Sequence, residues 1–367
     1  MRPGRSAKIS IDLAALEHNF QLVRKASPSS KIMPAIKANA YGHGQLQIAE
    51  SLKEADGFAV AQFAEAMALR NAGFEKPITV FQGFSNEQQL SQMQQHRIRP
   101  AISQLWQLDL LQARRDHTPL DVWLKINTGM GRLGVQPDQA AQCWNKIQNI
   151  KYIQNTGLMM HFSNADAPSH RSNQQQINTF QQLLDKLSVD EVSVSNSAAI
   201  LTGLYKFQAS EYQAWVRPGI MLYGASPLPN RSADELGLKA VMSLQAELIA
   251  INPLARGHPV GYGGDWICPE NMPVGIVNIG YADGYPRHAL SGTPVVVNGQ
   301  QTQLIGRVSM DSIAIDLREM DVRCGDAVEL WGSQVGVDEV ARNAGTIAYE
   351  LLCNAGRLVG VVPVPVS

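Results

Sequence analysis

Only four cysteines occur in 367 residues, and Cys143, Cys268, Cys324 and Cys353 form neither a CxxC pair nor a cluster with histidine. That scarcity argues against a zinc site and a disulfide framework, and the thiols read as reduced and mostly buried. An excess of one charge is lacking too: 31 basic residues face 32 acidic ones, a formal net charge of -1, with no long run of either sign. Nucleic acid, polyanions and anionic membranes are therefore not indicated as partners. No apolar run is long enough to span a bilayer, and the basic start, Met1 to Leu13, lacks the apolar core of a signal peptide. The chain reads as cytoplasmic. Neither GxGxxG behind a first strand nor GxxxxGK[ST] occurs, which argues against a dinucleotide or a nucleoside triphosphate.

What is present is 45% hydrophobic residue content, enough for more than one domain. From about residue 30 to 220, short β-rich runs alternate with segments of helical period. The runs are Ile32 to Ile36, Phe58 to Ala61, Ile78 to Phe81, Arg99 to Ile102, Val122 to Ile126, Gly157 to His161, Val192 to Ser195 and Trp215 to Arg217. Eight such units predict a (β/α)8 barrel of the TIM type rather than an open sheet. Beyond about residue 230 helical period mostly disappears and β runs follow at short intervals, with Asn298-Gly299 as a hairpin signal. The expected division is a barrel over 12–230 and a C-terminal β domain over 231–367, with residues 1–11 forming a strand that joins the latter.

Lys37 closes the apolar run that begins at Lys31 and is followed by the turn-rich Ala38 to Gly44. Such a lysine is either a snorkelling side chain or a desolvated amine able to form an imine. Barrel enzymes carry their chemistry at the C-terminal strand ends. Lys37 ends the first expected strand, Lys125 the fifth with Arg132 in the loop beyond, and His161 the sixth. Asn196 and Ser197 follow the seventh, and Arg217 ends the eighth. Each has a bland reading alone: Asn196 and Ser197 as helix caps, His161 as a structural histidine, Gly129 to Gly131 as a turn. Together they describe one basic, hydrogen-bond-rich rim. The helix start at Ser195 to Ala199 favours an anion, and Gly219 lets backbone approach a ligand. Loops after the last two strands are this barrel's usual phosphate site, so a monophosphate beside an amine suggests pyridoxal 5'-phosphate (PLP).

At these residues the chain resembles the fold-type III PLP enzymes, and within them the alanine racemase family, over nearly its whole length. PAIKANAYGHG at 34–44 is similar to the family's PLP-lysine motif, which implies Lys37 as the lysine bonded to PLP and Tyr41 as a phosphate contact. LKINTGMGRLG at 124–134 implies Arg132 near the PLP phenolic oxygen and the substrate, and Lys125 as a lysine that the family often carries carbamylated. HFSNAD at 161–166 implies His161 beside the cofactor and Asp166 in the access channel. SNSAA and VRPGIMLYG imply phosphate contacts at Asn196, Ser197, Gly219 and Ile220, and Arg217 against the pyridine nitrogen. In the second domain, VGYG at 260–263 resembles the catalytic-tyrosine motif, which implies Tyr262. GYADGYPR and GRVSMDS imply Tyr281, Met310 and Asp311 at the substrate and Arg287 and Arg307 along the channel, while IAYELLC implies Tyr349 at phosphate and channel. Asn127 stands where the family commonly has aspartate, Ser309 where cysteine is common, and the tail lacks a frequent proline.

The resemblance implies interconversion of L- and D-alanine by two bases, in a homodimer with shared active sites. Lys37 would serve the D side and Tyr262 of the partner subunit the L side, supplying D-alanine for peptidoglycan or serving alanine catabolism. Lysine and tyrosine titrate near ~10 in water, so both need burial or nearby cations to act as bases. A mouth carrying the charges of His161, Arg132 and Arg217 would supply them. The rivals are a racemase of broader amino acid range, a non-catalytic PLP-binding protein that needs neither Tyr262 nor the β domain, and a fold-type III decarboxylase. The last would carry a cysteine-bearing substrate motif that is not found.

Overall fold

Parallel strands alternate with helices and close into an eight-stranded ring in the first part of the chain. The computed structural model describes residues 7–114, 118–205, 212–359 and 361–363. After β1 (Lys8–Ile11) come the barrel strands β2 (Lys31–Ile32), β3 (Phe58–Val60), β4 (Ile78–Val80), β5 (Ile98–Ile102), β6 (Leu120–Lys125), β7 (Ile153–Met159), β8 (Glu191–Asn196) and β9 (Gln213–Arg217). The ring closes where β2 pairs with β9, Ile32 opposite Val216. Period two sorts the side chains: Ala59, Ala101, Trp123, Met159 and Trp215 join Met33 in one buried cluster, whereas Phe58, Val60, Val122 and Leu124 join the larger core. The barrel interior is thus filled and is not a pore. At its N-terminal end Arg99 lies 3.9 Å from the Trp123 ring centroid and pairs with Glu191 at 2.6 Å.

The first strand is shorter than its sequence suggests. Pro34 has no N–H to give a ladder, so β2 stops at Ile32 and pairing resumes only as a bridge between Ala35 and Ala59. Lys37 therefore lies beyond the strand, on the turn that follows.

The second sheet is built around β10 (Met242–Leu254), which pairs with β1 and β17 along one part and with β13 along the other, changing partners near a bulge at Leu248 to Ala250. After the small β11 (Pro259–Val260) and β12 (Trp266–Ile267) ribbon come β13 (Met272–Val277), β14 (Pro294–Val297), β15 (Gln300–Ile305), β16 (Ile313–Asp316), β17 (Ala327–Trp331) and β18 (Val361–Pro363). The order β13-β16-β15-β14-β17-β10, with β10 returning to β13, makes a closed ring that leaves few free edges. Asn298 and Gly299, with φ of 48° and 78°, make the two-residue turn between β14 and β15.

Two helices, Val337–Asn343 and Ala348–Leu358, interrupt the β texture of this part, where the sequence predicts little helix. The second covers the barrel mouth. A Cβ on Gly356 would lie 2.0 Å from the Gly42 carbonyl oxygen, and one on Gly42 would lie 2.3 Å from the Leu352 carbonyl oxygen. Only paired glycines let the two backbones meet. Of the free thiols, Cys143 and Cys268 are buried, Cys353 is half-buried and Cys324 is exposed, less uniform burial than expected because Cys324 falls in a surface turn. Among the described residues no group of side chains could hold a metal, and no helix is long and apolar enough to cross a membrane. Replacing Gly356 with valine should destabilise the protein by about 1–3 kcal/mol through this contact, read as a lower urea midpoint; an unchanged midpoint would show that the helix is not anchored there.

Candidate active site

Four consecutive non-glycine residues, Ala38 to Tyr41, have φ between 53° and 54°, a full left-handed turn directly after Lys37. L-residues disfavour that conformation by roughly 1–2 kcal/mol each, so tertiary bonds must hold it. Glu65 Oε1 accepts the Ala38 N–H at 2.6 Å, and Asn39 Oδ1 accepts the Gln45 N–H at 2.8 Å. His43, fully buried, lies within 3.0 Å of the Ala40 and Tyr41 carbonyl oxygens through Nδ1. Burial holds its pKa down to about 4, and Nε2 has no partner, as suits a neutral ring donating from Nδ1.

Around Lys37 the C-terminal strand ends gather bases. Burial first, then the Arg132 charge, lowers the Lys37 amine below its ordinary value. Lys125, 6% exposed at the end of β6, is lowered to about 7 by burial and by Arg217, Arg132 and Lys37. No carboxylate pairs with Lys125 among the described residues. Asn127, where an aspartate could have supplied one, uses its Oδ1 to accept the N–H groups of Gly131 and Gly129 at 2.9 and 3.4 Å, fixing the loop that carries Arg132.

Arg217 is buried, yet its guanidinium meets only neutral acceptors: the Ser193 hydroxyl, the Met160 and Val194 carbonyl oxygens at 2.7 and 3.1 Å, and His161 Nδ1 at 3.3 Å. Burial draws it down to about 9, which leaves it charged at neutral pH. His161 does not add to the positive charge, contrary to the sequence expectation. Burial and the charges of Arg217, Lys125, Arg132 and Lys37 hold its pKa well below the ordinary value, so the ring is a neutral acceptor with its proton on Nε2.

Beside Arg217 a small cradle forms. Asn196 caps the short helix Ser197–Thr202 through the Ala199 N–H at 3.0 Å, as its bland reading has it. Ser197 Oγ accepts the Gly219 N–H at 2.8 Å and the Met221 N–H at 3.4 Å, so its own proton stays available to an incoming acceptor. A Cβ on Gly219 would lie 2.6 Å from the Tyr41 hydroxyl, so a larger residue there would push that phenol out of place. The Tyr41 ring lies tilted against Tyr223 and Tyr349, with centroids 4.8 and 5.9 Å away, and burial raises all three phenols, Tyr349 to about 12. Phenols that keep their protons can donate to an anion. Ile220 opens the turn behind the cradle, and Asp166 lies near enough to act on Tyr349.

The remaining candidates form a separate surface. Tyr262, Tyr281, Arg287, Arg307, Met310 and Asp311 are all exposed, Tyr262 by 67%. Their loops touch: Arg307 flanks the backbone of Gly261 and Gly263, and the Tyr281 and Ala282 N–H groups bond the Ser309 and Met310 carbonyl oxygens at 3.1 and 3.0 Å. The charges acting most on Lys37 come from Arg132, Glu65, Cys353 and Arg217, none from this face. Sequence reasoning missed Glu65, Ser193 and Cys353. Glu65 at the third position of its helix carries a visible capping signal, but its reach to Ala38 does not show in sequence.

An amine of lowered pKa, unopposed guanidinium groups and a donor cradle together fit a phosphorylated pyridine aldehyde. A barrel of this kind joined to a β domain defines the fold-type III class of PLP enzymes. The family description "Alanine racemase, N-terminal domain" matches residues 11–227, and "Alanine racemase, C-terminal domain" matches 241–362. An alanine racemase of Nitrosococcus oceani is 45% identical over 355 residues, 96% of this chain and 97% of its own. A catabolic alanine racemase of Pseudomonas putida is 42% identical over 360 residues, 98% of each chain. The crystal structure of the biosynthetic alanine racemase from Pseudomonas aeruginosa superposes with a TM-score of 0.91 at 41% identity, covering 98% of this chain and 99% of that one. The chain belongs to the alanine racemase family.

His43 makes the lysine turn sensitive to acid. Its folded pKa is depressed from 6.5 to about 4, so the unfolded chain binds the proton more readily. Stability from this group is complete above pH 6.5 and is lost as pH falls toward 4, by up to about 3 kcal/mol. Urea midpoints measured from pH 7 to 4 should fall more steeply for the wild type than for His43→Asn, and parallel curves would remove His43 as the cause.

Proposed function

We propose that the chain interconverts L- and D-alanine with PLP as cofactor, Lys37 serving as base toward the D enantiomer and Tyr262 of the partner subunit toward the L enantiomer. Family membership carries the activity and the cofactor, while the residue roles rest on geometry and motif. The observation that carries the chemistry is the buried Arg217 guanidinium with no carboxylate against it among the described residues. Bound PLP makes the α-hydrogen of an attached amino acid acidic by drawing negative charge into its ring. Arg217, staying charged, would leave the ring nitrogen unprotonated, which restrains that sink and favours return of a proton to the α-carbon over transamination.

Tyr41, Ser197, Gly219, Ile220 and Tyr349 would hold the phosphate, with Asn196 ordering the helix start beneath it. Arg132 would take the phenolic oxygen and the substrate carboxylate, and His161 orients Arg217 as a neutral acceptor. Tyr281, Met310 and Asp311 of the partner's exposed face would complete the substrate pocket, and Asp166, Arg287, Arg307 and Tyr349 would line the way in. The reading divides the chain near residue 230, with residues 1–11 belonging to the tyrosine-bearing domain. A PLP carrier without catalysis would not need the exposed face that carries Tyr262.

Tyr262 is exposed and is not among the groups that act most on Lys37 of its own chain, which supports a shared site. Mixing Lys37→Ala with Tyr262→Phe subunits should restore roughly a quarter of wild-type activity through heterodimers holding one intact site; no recovery despite subunit exchange would tell against sharing. The enantiomers have equal free energy, so kcat/KM stays equal in the two directions for every variant. Asymmetry shows only in loss of α-deuterium to solvent. In Tyr262→Phe that loss should fall by about 10²-fold or more from L-alanine and much less from D-alanine, and equal small losses would reassign the tyrosine.

Lys125, whose pKa is lowered to about 7 and which has no acid partner among the described residues, suits carbamylation: the ammonium first gives up a proton, then the neutral amine nitrogen bonds CO2 and releases a second, so that a cation becomes an anion against Arg132. Labelling with ¹³CO2 should give a carbamate carbon signal that Lys125→Ala lacks; a signal retained in the variant would place the carbamate elsewhere.

A further inference from the structure

Glu65 is the third residue of the helix Phe63–Asn71, and its two oxygens face different parts of the barrel mouth. Oε2 accepts the Ala61 and Gln62 N–H groups at 2.8 and 3.0 Å, capping that helix behind β3. Oε1 accepts the Ala38 N–H at 2.6 Å, the first left-handed residue after Lys37. Ala38 is exposed and has a Cβ, so without this bond its peptide would be free to return to the right-handed form that L-residues favour. We propose that Glu65 is the positioning residue of Lys37: its carboxylate ties the left-handed turn to β3 and gives the Lys37 amine an acidic neighbour. The inference rests on Lys37 being the lysine that bonds PLP.

The surroundings of that amine make the second part consequential. Arg132 faces it from the loop after β6, Lys125 from β6, Arg217 from β9, the neutral His161 from beyond β7, Cys353 from the C-terminal helix, and Tyr41 with its ring centroid 5.9 Å from Nζ. Among the carboxylates of the described residues Glu65 is the one that acts appreciably on the amine, working upward against the lowering by burial and the two guanidinium groups.

The test uses the full chain stripped of cofactor, with Glu65→Gln and Glu65→Ala. The glutamine keeps one acceptor oxygen and loses the charge; the alanine loses both and serves as the second measure of the turn. PLP capture fixed by borohydride and mapped by peptide identifies the lysine, the pH midpoint of the capture rate reports the amine, and hydrogen exchange over residues 36–44 reports the turn. Label on Lys37, a midpoint moved to lower pH in Glu65→Gln, and exchange faster by about tenfold or more in Glu65→Ala are expected. A capture midpoint unchanged in Glu65→Gln, or exchange unchanged in Glu65→Ala, would each overturn the proposal. Loss of a helix cap alone would lower stability without moving the midpoint. Label on another lysine would remove the Lys37 assignment, and this proposal with it.

Discussion

Lys37, Lys125, Arg132 and Arg217 act on one another's surroundings across one barrel mouth, and two of them are almost fully buried. Charges of one sign placed together in a poorly solvated cleft repel, and each also loses hydration on burial. The protein answers this in two ways. Lys37 and Lys125 hold their protons less tightly than free amines, which relieves part of the repulsion, while Arg217, whose guanidinium holds its proton, is wrapped in neutral oxygens and one imidazole nitrogen. The unrelieved part of the repulsion favours any anion that enters, and a phosphorylated cofactor is the anion that this family uses.

Holding the lysine there requires backbone that sequence alone would not choose. A left-handed turn of four side-chain-bearing residues persists only because Glu65, Asn39 and His43 bond it from several directions. The C-terminal helix then lies across it, through the Gly42 and Gly356 contact, and brings Tyr349 to Tyr41. The β domain therefore helps to close the barrel mouth beside Lys37 as well as carrying the exposed tyrosine face.

These layers differ in how far the sequence reveals them. Barrel strands were legible because period two and the turn residues between runs are local, and the same holds for Asn298-Gly299. Arg217 at the end of β9 and Lys125 at the end of β6 follow from strand position. The short β2 depended on one missing N–H at Pro34, while the C-terminal helix Ala348–Leu358 carries its apolar stripe at plain helical spacing, Ala348, Leu351, Leu352 and Ala355, within a stretch where β runs dominate. The charge state of His161 and the reach of Glu65 are set by neighbours distant in sequence, where no periodicity records them. Gly219 was expected to admit a ligand to the backbone; what the fold sets against it is the Tyr41 hydroxyl, a neighbour distant in sequence.

Enantiomers of alanine have equal free energy in water, so a catalyst between them drives neither direction and equilibrium holds both in equal amounts. Relatives named for biosynthesis and for catabolism accordingly share this fold and most of its length with the chain. Direction is imposed by whatever reaction consumes one enantiomer, and the site is asked only to be equally competent on two faces. A barrel mouth presents its fixed lysine to one face of a bound substrate. On the proposed roles the opposing base arrives from another surface, and the exposed loops carrying Tyr262, Tyr281 and Met310 would be that surface, with apolar and polar groups together. Two copies facing each other would then satisfy both needs at once, each supplying the base that the other lacks.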